Sequence, residues 1–172
     1  MKYFKTELWR GFSSDNSEEF EEARIQWEKN CKEYALVFEK VKERLPKGFL
    51  KIYMKEHGFH DFHLKNVQVI HADEGYRNPI SVSIEVGSEK NVWKITYTGV
   101  TKVQINYEDE KAEENKKRRF QYGFDDYGYN EFLEVDDNIL SHEVLFASEA
   151  TILVHFKKIS IKRVEERKNL NA

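Results

Sequence analysis

The chain has 172 residues, of which 40% are hydrophobic and 34% charged, with a formal net charge of −3. This length and apolar content suffice to bury a core, which excludes a disordered chain, and the net acidity argues against a binder of phosphate backbones. Cys31 is the only cysteine, so no intramolecular disulfide can form, and no run reaches the apolar length that crosses a bilayer. The first residues, MKYFKTELWRGF, lack the apolar core of a signal peptide. These features read as a cytoplasmic protein with no membrane association.

In chain order, Lys2 to Trp9 predict a short strand or an anchoring arm. The stretch SSDNSEE then reads as a helix start, with Asp15 or Asn16 as cap and Glu18 and Glu19 in the first turn. Phe20, Ala23, Trp27, Cys31, Tyr34, Phe38, Val41 and Leu45 recur at steps of three or four, which predicts one amphipathic helix over 16–45. Pro46 and Gly48 end it. A second short helix is expected from Phe49 to His57, stopped by Gly58.

Beyond Gly58 the apolar period becomes two. Phe62 to His71 predicts a strand with a break in register near Asn66. Ile80, Val82, Ile84 and Val86 alternate with polar residues in the next. A third runs from Val92 or Trp93 through Tyr97. Gly99 interrupts it, and Val103, Ile105 and Tyr107 continue past the break. The charge run 108–119 reads as a solvated loop, and further strands are expected at 139–147 and 151–163. The fold class is therefore α+β: a long N-terminal helix packed on a six- or seven-stranded antiparallel sheet that could curl toward a half-barrel. It is read as one domain over 1–172, helical to 57, sheet over 58–163, with a polar tail at 164–172.

Three constellations bear on chemistry. His57, His60, Asp61 and His63 are donor types that ligate metals, and they support an alternative reading as a metal-dependent or small-molecule enzyme. Strand alternation would place Asp61 and His63 on one face and His60 on the other. The His60-Asp61 pair resembles the HD signature of metal-dependent phosphohydrolases, but those enzymes are all-helical, whereas this pair introduces a strand. Lys116, Lys117, Arg118 and Arg119 beside Phe120 and Tyr122 are a stacking-plus-charge pattern for single-stranded nucleic acid. The acids Glu108, Asp109, Glu110, Glu113 and Glu114 precede it and cancel most of its field. Cys31 lies on the apolar stripe and reads as an inert thiol.

The third constellation is Tyr122 to Asp137, which carries six acids, no Lys or Arg, and interleaved aromatics. Exposed tyrosines can anchor a partner, and carboxylates steer a basic one. Gly123 and Gly128 suggest that the stretch is a loop. Asp125, Asp126, Tyr127, Tyr129 and Glu131 are the expected contact residues for a basic protein partner, and the reading implies no catalytic residue and no cofactor.

The segments FHDFHLKNVQV, WKITYTGV and YNEFLEVDDNILSHEVLFASEATILVHFKKISI resemble bacterial proteins of unknown function, in which a helical segment leads to an HD-containing first strand and an antiparallel sheet. Some similar small acidic families are immunity proteins of polymorphic toxin systems. The resemblance covers roughly residues 47–163 and implies an α+β fold and no established activity. In it His60, Asp61 and Leu64 are strand-start residues. The expected function is a non-enzymatic protein-binding module.

Overall fold

A computed structural model describes residues 1–12, 14–72, 77–108 and 123–164. Its helical part is α1 (Thr6–Gly11), α2 (Ser17–Val41), a 3-10 turn (Lys42–Arg44), α3 (Lys47–Lys55) and a second 3-10 turn (His57–Phe59). The Asn16 side chain accepts the Glu18 N–H at 2.9 Å and so caps α2. The stripe buries Ala23, Trp27 and Val41, while Phe20 at its start stays 38% exposed. Residues 1–5 form an arm with Tyr3 and Phe4 buried, as one of the two expectations had it. The residues after it are helical, because Glu7 and Arg10 suit the two ends of a short turn of helix.

Among the described residues eight strands follow: β1 (Phe62–His71), β2 (Ile80–Gly87), β3 (Val92–Thr98), β4 (Lys102–Asn106), β5 (Asp126–Glu134), β6 (Leu140–Phe146), β7 (Thr151–Phe156) and β8 (Lys158–Val164). They form one antiparallel sheet in the order β4-β7-β6-β5-β1-β2-β3-β8. The register break near Asn66 is present, between Leu64 and Asn66. The expected six or seven strands become eight for two reasons. The stretch from Tyr122, expected as a loop, supplies β5, and the expected strand over 151–163 bends at Lys157 into β7 and β8. The bend is shared with the neighbouring ribbon. Lys157 N–H donates to Thr98 O at 3.1 Å and Thr101 N–H to His155 O at 3.0 Å, so β3–β4 and β7–β8 turn the corner together.

The sheet curls strongly. The Tyr97 hydroxyl on β3 lies 2.7 Å from His142 Nδ1 on β6, although these strands stand four places apart in the sheet. In a flat sheet that separation would be about 19 Å, from a strand spacing of about 4.8 Å. Among the described residues the end strands β4 and β8 do not pair with each other, so the sheet is not closed there. Its concave side holds the main core, with Val82, Ile84, Val86, Ile95, Phe132, Val144, Phe146, Ile152, Val154 and Phe156 buried.

The curl changes the role expected of the long helix. A flat sheet needs a helical cover on its apolar face, but here the sheet folds over its own core. Helix α3 packs into that core, with Phe49 and Tyr53 on Phe132 at ring distances of 5.8 and 5.5 Å. Helix α2 is shared: its C-terminal turns add Phe38 and Val41 to the main core, as the expected cover would, while its earlier turns lie on the outer face of β5. There Trp27 meets Tyr129 at 4.6 Å, and Phe4 of the arm packs against Trp27, Tyr34 and Tyr129. Among the described residues no helix is long and apolar enough to cross a membrane.

Candidate functional site

Among the described residues β1 and β5 pair at two positions only, Phe62↔Tyr127 and His63↔Asp126. This short seam brings together the two residue sets singled out in the sequence. The chain reaches it from α3 through an unusual connector. His57, Gly58, Phe59 and Asp61 all have left-handed backbone angles, with φ of 50°, 68°, 66° and 64°. Histidine and aspartate tolerate this region, but a bulky phenylalanine rarely adopts it. Asp125, just before β5, is left-handed too, at φ 60°. The Asp61 N–H donates to Tyr127 O at 2.9 Å and locks the connector to the strand.

The candidate metal ligands do not converge. His60 Nδ1 lies 2.9 Å from Asp61 Oδ1, and His63 Nδ1 lies 2.5 Å from Asp126 Oδ1, so each histidine faces a carboxylate of its own. His60 also meets the Tyr129 ring edge-on at 5.2 Å. His57 is exposed on the connector. Among the described residues no three His, Cys, Asp or Glu side chains are placed to hold one metal ion. The expected joint site of His57, His60, Asp61 and His63 is not assembled: His60 pairs with Asp61, His63 turns to Asp126, and His57 is exposed on the connector.

The acidic, tyrosine-rich set is divided. Tyr127 and Glu131 are both 0% exposed, so the five expected contact residues do not share one surface. As a strand, β5 alternates its faces. Tyr127 and Phe132 point into the main core, and a bulge at Gly128 resets the alternation. A Cβ on Gly128 would sit 2.8 Å from Leu145 O, which is why this position has no side chain. Glu131 points outward and is covered by the arm, accepting the backbone N–H groups of Lys2 and Tyr3. Burial raises its pKa, and those two donors oppose the rise. Tyr129 is half-buried against α2. Asp125 and Asp126 remain accessible at the seam, and Asp61, whose side chain is 79% exposed, pairs with His60 on the adjoining connector. Burial and then Asp126 raise the Asp125 pKa, while the Asp126 backbone N–H and His63 lower it.

No protein-family model matches the chain, and a search of curated proteins finds no match either. The functional reading therefore rests on the site itself.

Sequence reasoning missed a buried polar cluster behind the seam. His142 on β6 is fully enclosed, with Tyr97 at Nδ1 (2.7 Å) and with Tyr127 and Asn130 Oδ1 at Nε2 (both 3.2 Å). Tyr53 donates to Asn130 Oδ1 at 2.7 Å, and Asn130 Nδ2 donates to Gly58 O at 3.1 Å. The Gly58 carbonyl can only accept, which fixes the amide orientation and requires His142 Nε2 to donate. His142 is thus neutral with its proton on Nε2, and burial holds its pKa at about 3. Burial also pushes the Tyr53, Tyr97 and Tyr127 hydroxyls up, so all three stay protonated. A signal was available: His142 is in phase with Leu140, Val144 and Phe146 along β6, the apolar face. Phe132 stacks on its ring at 3.9 Å.

Cys31 is half-buried and its thiol pKa is raised by burial, which agrees with an unreactive side chain. The basic run Lys116 to Arg119 with Phe120 and Tyr122 lies outside the described residues. A cleft of about 690 Å³ between α1 and α2, walled in part by Glu7, Leu8, Glu19 and Ala23, contains none of the candidate residues.

Proposed function

We propose that the protein is a non-enzymatic protein-binding module whose contact face is the β1–β5 seam. The observation that carries the reading is the pairing of His63 with Asp126, which gathers Asp61, Asp125 and Asp126 around His60, His63 and the rim of Tyr129. Three accessible carboxylates beside a half-buried aromatic suit a basic partner. The charges speed encounter, and the aromatic supplies a desolvated anchor. The resemblance to immunity proteins suggests one partner class, a basic toxin that the module would neutralise.

The test is affinity capture from the native cell extract with the wild-type chain and with Asp61→Asn/Asp125→Asn/Asp126→Asn. Asparagine tolerates the left-handed backbone at 61 and 125, so the change removes charge and leaves conformation alone. A basic protein retained by the wild type in a salt-sensitive way, and lost by the variant, supports the proposal. Equal retention by both chains rejects it.

A further inference from the structure

We infer that Asn130 is the positioning residue of the seam, holding His60 and Asp61 in place through the connector His57–Phe59. The inference rests on the reading of the seam as the contact face. Asn130 sits at the junction of the buried cluster and the surface. On one side its Oδ1 accepts from Tyr53 and from His142 Nε2. On the other its Nδ2 donates to Gly58 O, in the middle of the left-handed run.

That run needs holding. Phe59 is a bulky residue at φ 66°, in a region its side chain disfavours, and it stays there with its ring fully buried against Tyr53, Phe62 and Tyr127. The Tyr53 ring also lies over Gly58, where a Cβ would come within 3.3 Å of its hydroxyl oxygen. The next residues outward are His60 and Asp61. The placement of His60 against Tyr129, and of the Asp61 N–H on Tyr127 O, follows from the turn being fixed from beneath. Asn130 therefore acts on the seam without being part of its surface, since it is only 9% exposed.

The test reads amide hydrogen exchange in the free chain, so it needs no partner and can fail independently of the proposed function. Asn130→Ala should speed exchange at Phe59, His60 and Asp61 about tenfold relative to the core amides of Val82 and Ile84. Tyr53→Phe, a smaller change that removes one bond to Asn130, should give a lesser rise at the same amides and decides the matter should Asn130→Ala not fold. Tyr97→Phe is the control, because it removes a bond on the far side of His142 and should leave the connector unchanged. Selective loosening of 59–61 in the first two variants alone supports the inference. Loosening in all three, or in none, overturns it.

Discussion

The Tyr97 hydroxyl donates to His142 Nδ1 at 2.7 Å, joining β3 to β6 through the interior of the curled sheet. A neutral histidine held there makes the fold acid-sensitive. With the folded pKa depressed to about 3, the unfolded chain binds a proton that the folded chain does not, in the window from about pH 6.5 down to about 3. Stability contributed by His142 is thus complete above that window and falls as pH drops through it, by about 1.4 kcal/mol per pH unit and at most about 5 kcal/mol. His142→Gln keeps hydrogen-bonding capacity without the titration. Urea denaturation at several pH values should show a shallower acid loss in the variant, and parallel profiles would contradict this account.

Glu131 titrates in the opposite sense. Its raised pKa means that folding disfavours the charged form relative to the unfolded chain, so its contribution is fullest at low pH and is lost as pH rises through the folded value. Glu131→Gln sheds the charge and keeps a carbonyl to accept from Lys2 or Tyr3. Glu131→Leu leaves the Tyr3 N–H without an acceptor, costing about 1–3 kcal/mol. Denaturation midpoints should rank Leu below Gln at every pH, with Gln gaining on the wild type as pH rises. Equal losses for Gln and Leu would show that the arm is not held by this carboxylate.

Gly128 has a steric role. A methyl group there would meet Leu145 O at 2.8 Å, and the contact is backbone, which cannot turn aside. Gly128→Ala should cost about 1–3 kcal/mol, read as a lower urea midpoint with an unchanged slope. A midpoint equal to the wild type would mean that the bulge relaxes freely.

Much of this fold was legible in the chain. The helix stripe from Phe20 to Leu45, the Asn16 cap, the alternation from Ile80 to Val86 and the bulge near Asn66 are local signals, and local signals survive into structure. The bend at Lys157 and the curl of the sheet were not, because they depend on pairings between distant segments. The same limit explains the site. Glu131 looked exposed because its cover, the arm at residues 1–5, lies far from it in sequence, and Tyr127 looked like surface because glycines on either side suggested a loop. The seam itself joins residues 62–63 to 126–127, a pairing that no local pattern announces.

The central claim is that partners meet this protein at the seam, and a footprint tests it most directly. Amide exchange would be compared in the free chain and in its complex with the captured basic protein. The account predicts new protection concentrated at residues 60–63 and 123–129. Protection confined to the exposed face of α2, or to the outer strands β4 and β8, would contradict it.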